Sequence, residues 1–398
     1  MMPRTTRPHE HDPNIRREEW GAWVQSTKRI ETPLGDLHAT VAMPHALLDT
    51  LGIDVTALPL AAPNTPLEVH VSITTHCAAN CVGCYTNASA NGSHVSLEAL
   101  EARFRALRDA NVLTVAFGGG EPTSHPELKA IAKLARSFGL LPVITTSGLA
   151  LDPAKLDTLM EFEQVNVSFD GDDAVYQDVR GFKGAAAAKR SIERLAQAGI
   201  SVGVNTVLTR ISFDHVERTA EIVFAAGARE MQLLRYKPQG RAKDLSYLSR
   251  RCTREQMERF PALLESLVCR FSPKAHVRID CALVPFLSQT AFSGETLAKH
   301  GIFGCEAGRH LAGLSNDGLV RPCSFLEEST VTSDQLGTFD PTLTLYRERS
   351  DRLLDPCSTC SIASVCRGGC AVVSAYVGDP SMPDPECPRV IAWQKECR

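Results

Sequence analysis

The 398-residue chain has no run of about 18 apolar residues, so no segment reads as a bilayer span. It also lacks a basic excess. A net charge of −4 gives no footing for nucleic acid or an anionic membrane as partner. The first nineteen residues, MMPRTTRPHEHDPNIRREE, are polar and contain no apolar h-region. A secretory signal is therefore not expected, and the cytoplasm is the expected compartment. In that compartment disulfides are rare, so the 14 cysteines should be reduced thiols, and thiols at CxxC spacing bind metal more often than they pair. What the chain does have is 43% apolar and 22% charged residues, the balance of a globular protein with a sizeable core. Its length suits one large or two medium domains.

Residues 1–18 carry mixed charge, Pro and His with few large apolar groups and read as a disordered tail. Residues 19–66 read as a cap or recognition segment, with short strands near 21–28 and 37–43, a helix near 45–51 and a linker at 61–64. From 67 to 241 the pattern is strand, loop, helix, repeated six times. The strand candidates are LEVHVSIT, VLTVAF, LPVITT, QVNVSF, SVGVNTVL and REMQLLRY. Amphipathic stretches at 97–110, 127–138, 153–161, 185–198 and 214–226 lie between them, several ending near Gly139, Gly199 and Gly227. This alternation calls for a parallel sheet, open or closed into a barrel, with ligands at the carboxyl ends of the strands. Residues 242–280 read as a helical linker. Residues 281–398 read as a cysteine-rich lobe with little apolar material, stapled by metal.

The chemistry concentrates at those carboxyl ends. Just past the first strand, Cys77, Cys81 and Cys84 form a C-x3-C-x2-C run. Three such thiolates can hold three irons of a cubane cluster and leave the fourth open. A zinc knuckle completed by His76 is the alternative, though zinc favours two CxxC pairs or a CxxC with two histidines. The second strand runs into Gly118-Gly119-Gly120-Glu121-Pro122, where glycines let backbone approach a ligand and Glu121 or a carbonyl could receive an ammonium group. Strand three ends in Thr145-Thr146-Ser147-Gly148 and strand four in Ser168-Phe169-Asp170-Gly171. Hydroxyls and a carboxylate there suit a nucleoside-bearing ligand or simply form turns. Arg180 could pair an anionic ligand group, and Asn205 and Thr206 are polar interruptions in an apolar strand. Lys237 and Arg241, after strand six, either clamp an acidic substrate or close the barrel.

Together CAANCVGC, GGEP, TSG and SFDG resemble the radical S-adenosylmethionine (radical SAM) core over residues 67–241. The resemblance implies a partial (β/α)6 TIM-like barrel. It implies one [4Fe-4S] cluster on Cys77, Cys81 and Cys84, and S-adenosylmethionine cleaved to a 5′-deoxyadenosyl radical that abstracts hydrogen from substrate. It sets Gly119, Gly120 and Glu121 against the methionyl amine, and Ser168, Asp170 and Arg180 toward the ribose and carboxylate. The family usually has a bulky or aromatic residue before the third cysteine. Here that position is Gly83, with Tyr85 just after, which leaves the adenine pocket unassigned.

The tail reads Cys305-x12-Gly318-x4-Cys323, then Cys357-x2-Cys360-x5-Cys366-x3-Cys370, then Cys387. This array resembles the SPASM extension of radical SAM enzymes, whose presence implies up to two auxiliary [4Fe-4S] clusters. By that resemblance Cys357, Cys360, Cys366 and Cys387 close one cluster, and Cys305, Cys323 and Cys370 hold another. Its fourth ligand is either Cys281 or an open iron. Two zinc ribbons are the alternative that spacing alone allows. Family members with this tail mostly modify peptide or protein side chains, so a ribosomal precursor peptide is the expected substrate and a flavodoxin or ferredoxin the expected reductant. Formylglycine formation in a sulfatase is a second expectation. Leu311 opposes it, standing where that subgroup has a further cysteine. A non-catalytic metal-binding or electron-transfer protein is a third, which leaves the glycine turn and the six βα units without purpose. Cys252, Cys269 and Cys397 fall outside any pattern.

Overall fold

The computed structural model describes residues 14–18, 21–25, 30–32, 35–37, 40–50, 52–58, 60, 65–327, 331–337 and 340–397. The six predicted strands form as β1 (Glu68–Thr74), β2 (Thr114–Gly119), β3 (Leu141–Thr146), β4 (Gln164–Ser168), β5 (Val202–Leu208) and β6 (Glu230–Arg235). Each pairs in parallel with the next, in chain order, which is the topology of a rolled (β/α)6 partial barrel.

The two faces of these strands differ, and the difference positions the site. Val69, Val71, Ile73, Val115, Phe117, Val165, Val167, Val204, Met231 and Leu233 are buried in the core against the helical layer. That layer includes Leu97–Asp109 and Ala185–Gln197, which contribute Phe104 and Ile192. The alternate residues are half-buried and largely polar or small: Ser72, Ala116, Thr145, Asn166, Ser168, Asn205 and Gln232. The period-2 pattern thus puts the apolar side outward under the helices and leaves a polar lumen. Local signals place the helices. Ser96, Asp152 and Asp172 each accept a backbone N–H at a helix start, and Thr253 with Gln256 forms a capping box.

Several expected boundaries move. Residues 14–18, read as tail, form a strand, Asn14–Glu18, paired with Gly21–Gln25, which in turn pairs with Thr40–Pro44. Ile15 packs beside Val24, Leu48 and Val55, and the buried Arg16 guanidinium donates to the carbonyls of Thr65 (2.9 Å) and Pro66 (2.7 Å). Composition missed this because the strand forms only through pairing and packing partners that lie as far as 50 residues away. Residues 1–13 lie outside the described residues. The 37–43 strand divides into Gly35–Leu37 and Thr40–Pro44, and the helix runs His45–Thr50.

Residues 242–280 are not a linker. Helix Arg254–Phe271 places Met257, Phe260 and Leu267 in the main core, and β7 (His276–Ile279) extends the sheet parallel to β6. Nor is the tail a separate lobe. Its strand β8 (Leu311–Leu314) pairs in parallel with β1, and β9 (Leu319–Arg321) and β10 (Val331–Thr332) follow antiparallel, giving one ten-stranded sheet. Leu314, Val320, Leu343, Ile362 and Val365 join the main core. Among the described residues no helix is long and apolar enough to cross a membrane.

Barrel and tail are also joined by charge. Arg235, buried at the end of β6, donates to both carboxylate oxygens of Asp384 (2.6 and 3.1 Å) and to Glu386 (2.8 Å). Glu386 in turn accepts from Tyr247 (2.8 Å) and Arg251 (2.6 Å). Removing one partner of such a network strands an uncompensated buried charge. Arg235→Ala should cost about 3–5 kcal/mol in denaturant unfolding. A change below about 1 kcal/mol would show that the pair is not what joins the two parts.

Candidate active site and cysteine groups

The loop after β1 carries Cys77, Cys81 and Cys84, all half-buried, and all 14 cysteines are free thiols. Asn80 takes a left-handed conformation (φ 48°), and Cys84 N–H donates to Cys81 O, so the run turns tightly. A second segment clamps it from above. Arg241 donates from its side chain to the carbonyls of Cys81 (2.7 Å) and Ala88 (2.9 Å), and from its N–H to Cys84 O (2.9 Å). A Cβ at Gly240 would collide with Cys84 O and the Tyr85 carbonyl. Arg241 therefore closes the barrel over the loop. Lys237 is committed as well, buried against Asp280 and lying over the Phe325 ring at 4.4 Å.

Burial pushes the Cys77 and Cys81 thiols up, and the neighbouring Glu121 and thiols add to it at Cys77. The Arg180 guanidinium pulls Cys81 the other way. Thiols crowded in this manner are held as thiolates by a cationic metal centre. Among the described residues no three His, Cys, Asp or Glu groups converge as a single ion would need. A tetrahedral zinc would draw its sulfurs to about 3.8 Å of one another at a Zn–S bond of about 2.3 Å.

The glycine turn is built by contact with this loop. Gly120 N–H donates to Thr74 O (2.7 Å) and Glu121 N–H to His76 O (2.8 Å). Gly119 sits at φ 104°, and a Cβ there would strike Thr74 O and Ser72 Oγ, as one at Gly120 would strike His76 O. The carboxylate of Glu121 is occupied within the protein. It accepts from Thr123 N–H (3.1 Å) and Oγ1 (2.7 Å), Thr146 Oγ1 (2.7 Å), and Ser147 N–H (2.8 Å) and Oγ (2.6 Å). It ties the end of β2 to the end of β3, and the free approach to the lumen at this turn belongs to backbone.

Asp170 is fully buried and accepts from Arg180 Nε (2.5 Å) and Val207 N–H (2.8 Å). Arg180 also faces Cys81 and lies 5.9 Å from the Tyr176 ring, and its carbonyl accepts from Val82 N–H. Asp170 and Arg180 are thus one unit, set against the cysteine loop. Ser168 stands half-buried on the lumen face of β4. Of the polar pair in β5, Asn205 faces the lumen, with its Oδ1 unpartnered, while Thr206 faces outward and donates to Phe169 O (2.7 Å).

Two tyrosines escaped the sequence reading. The hydroxyls of Tyr176 and Tyr236 are buried with no partner, as a ligand site would leave them. Burial holds the Tyr176 hydroxyl up to about 12, so it stays protonated at neutral pH. A Cβ at Gly83 would meet the Tyr236 ring at 2.9 Å, which explains the glycine before the third cysteine. The available signal was an aromatic at the carboxyl end of a lumen-lining strand. Tyr85 instead stacks on Phe325 at 4.5 Å, toward the tail.

In the tail the structure sorts the thiols into two groups. Cys357, Cys360, Cys366 and Cys387 line one hollow with Pro285, Ser288 and Arg389. Cys305, Cys323 and Cys370 meet in a second apolar cluster with Ala282, Ala307 and Phe325. Cys281 lies beside this group: burial raises its thiol most, then Asp280, with Cys305 and Cys370 adding to it and Lys237 opposing. Burial likewise pushes Cys357 and Cys323 up to about 12. Asp384 lies between the groups and accepts from Cys370 N–H (3.0 Å). Cys252 is in the main core, and Cys269 and Cys397 are exposed, apart from both groups.

A rolled parallel sheet, a three-thiol loop at its mouth and unpartnered polar groups at the site are the parts from which a radical SAM domain is built. Residues 71–223 match the radical SAM superfamily model, so this stretch is a radical SAM domain. It is 28% identical over 345 residues to the PqqA peptide cyclase of Ruegeria pomeroyi, covering 81% of this chain and 87% of that one. It is also 28% identical over 361 residues to the pre-heme d1 synthase of Dinoroseobacter shibae, covering 83% and 88%. SuiB of Streptococcus suis, solved with S-adenosylmethionine, has the same fold, with a TM-score of 0.69 and 16% identity over 96% of this chain and 100% of that one. SuiB has also been solved with its precursor peptide SuiA. The family holds a [4Fe-4S] cluster and S-adenosylmethionine. The three free thiols, the glycine cradle and the orphaned Tyr176, Tyr236 and Asn205 atoms fit both groups.

Replacing Glu121 by Ala would strand three buried or half-buried donor residues. Each unsatisfied donor costs about 1–3 kcal/mol. The expected result is a loss of about 2–4 kcal/mol in unfolding free energy, present without added cofactor. An unchanged midpoint would mean that the carboxylate is held for ligand rather than for the turn.

Proposed function

We propose that the chain modifies a peptide or protein side chain by radical chemistry, as a maturase of ribosomally made precursor peptides. The observation that carries this reading is the sorting of eleven thiols into a group of three beneath a polar lumen and two groups of four in the tail. The PqqA cyclase is named for a peptide, and SuiB is solved with one. Bound together, the cluster and S-adenosylmethionine supply one-electron cleavage of the latter and abstraction of a substrate hydrogen atom.

The chain's own residues do the rest. Cys77, Cys81 and Cys84 hold the reducing cluster and leave one iron open. The Gly119 and Gly120 backbone cradles the methionyl amine. Ser168 and the Asp170–Arg180 pair orient the ribose and carboxylate, with Tyr176, Tyr236 and Asn205 offering further hydrogen bonds. Cys357, Cys360, Cys366 and Cys387 hold one auxiliary [4Fe-4S] cluster, and Cys281, Cys305, Cys323 and Cys370 the other. Auxiliary clusters held by these residues would supply an acceptor for the electron left after substrate oxidation, and a flavodoxin or ferredoxin would supply the electron that starts each cycle. A reduced, cytoplasmic setting suits this much thiol chemistry.

The test is anaerobic reconstitution with iron counted per chain and 5′-deoxyadenosine read by mass spectrometry after dithionite and S-adenosylmethionine are added. About twelve irons and deoxyadenosine are expected. The double variant Cys357→Ala/Cys366→Ala should keep about eight irons and deoxyadenosine formation, yet lose modification of a precursor peptide. Peptide product undiminished in the folded variant would sink the electron-acceptor role. Product from a tetrapyrrole and none from any peptide would move the substrate class toward that of the pre-heme d1 synthase. For the second group, Cys281→Ser should alter the EPR signal of one auxiliary cluster and leave the other two unchanged. An unaltered spectrum would mean that its fourth iron is open.

A further inference from the structure

The reading above needs an electron delivered from outside the chain, and an open, mostly cationic cleft lies against the outer side of the cysteine loop. The cysteine loop has two sides. The Cys81 thiol faces Arg180 and Asp170 in the lumen, whereas the neighbouring side chains Asn80 and Val82 are exposed, Val82 at 40%. Against that outer side lies an open cleft of ≈ 790 Å³, lined by Asn80 and Val82 and by Arg241, Lys243, Asp244 and Arg250 from the segment after β6. Three cations face one carboxylate there, on a chain whose net charge is −4. Arg210 adds a further positive group beside it, its guanidinium donating to Leu248 O (3.3 Å).

The same segment exposes apolar side chains that the fold does not use. Leu245 is 80% exposed and Leu248 42%. The backbone beneath them is anchored, because Asp244 O accepts from Tyr376 and Arg251 N–H donates to Tyr247 O (2.9 Å). An anchored segment that holds two leucines in water inside a cationic rim has the anatomy of a protein interface. The wall between this cleft and the three thiols is the loop itself.

We propose that this cleft docks an acidic low-potential electron-carrier protein and is the entry point for the reducing electron. One electron leaves the carrier, which is oxidised by one unit, and arrives at the group held by Cys77, Cys81 and Cys84. No bond is made or broken, and no proton is required of the chain. The sign of the rim selects the partner. Acidic carriers are drawn in electrostatically and the attraction weakens with salt. Bare phosphate backbones would match the cations but leave Leu245 and Leu248 unused. The inference rests on the functional reading above, so the experiment separates the two.

The full chain, reconstituted, is compared with Lys243→Glu/Leu245→Asp, in which both changes are on exposed side chains. Two quantities are measured: binding of an acidic flavodoxin by calorimetry at low and at physiological salt, and deoxyadenosine formation driven by reduced flavodoxin or by dithionite. The expected result is flavodoxin binding weakened about tenfold, with flavodoxin-driven formation falling in parallel and dithionite-driven formation unchanged. Equal flavodoxin binding by the two proteins would overturn the proposal. So would a loss of peptide modification under both reductants while peptide-free cleavage is untouched, which would assign the cleft to the substrate. No deoxyadenosine with dithionite in the unaltered protein would instead overturn the functional reading, and the binding comparison would still decide the docking surface.

Discussion

The buried network of Arg235, Asp384 and Glu386 is the constraint on which the arrangement depends, because it registers the cysteine-rich tail against the end of β6. Arg235 is held charged by the two carboxylates although burial opposes it, and Asp384 is kept ionised by Arg235 and two backbone N–H donors despite its own burial. Asp384 also sets Cys370 directly, so one ion pair fixes the barrel, the tail and the position of a thiol. Such a network contributes little as a source of stability in itself. Its contribution is to make every alternative packing of the loop before the last helix a buried charge.

Around that fixed point the barrel performs a division of labour. Its outward faces are apolar and bury the helices. Its lumen is lined by small and polar groups, several without protein partners. Glu121 and the Asp170–Arg180 pair are braces as much as ligand groups. Each joins the carboxyl ends of neighbouring strands, holding the mouth open at a set width. The loop of three thiols is braced in turn by Arg241. The candidate site therefore rests on strand ends and on a loop held by buried hydrogen bonds.

Much of this was legible in advance for local reasons. The six βα units announce themselves through period-2 and period-3.6 patterns, and Gly139, Gly199 and Gly227 mark helix ends, each with a positive φ. The three cysteines of the loop need only one turn to converge. The parts that went unread were long-range. Strand Asn14–Glu18 is polar except for Ile15 and becomes a strand only because Gly21–Gln25 pairs with it. Helix Arg254–Phe271 looked like a connection because its apolar face has meaning only against the sheet. Leu311, which stands where the sulfatase-maturing subgroup has a further cysteine, starts a strand beside β1, a placement no local pattern showed.

Composition and spacing by themselves determined the class of chemistry. Thiols at short separations, a glycine turn after the second strand and a repeating βα pattern are properties of adjacent residues, and short-range chain geometry carries them. Only the tertiary structure brought Cys281 near Cys305 and Cys370, set the Tyr236 ring above Gly83 and satisfied the Glu121 carboxylate. Those outcomes turn on which buried polar groups meet across tens to hundreds of residues. No local pattern encodes that meeting, because it is set by the packing of the whole sheet.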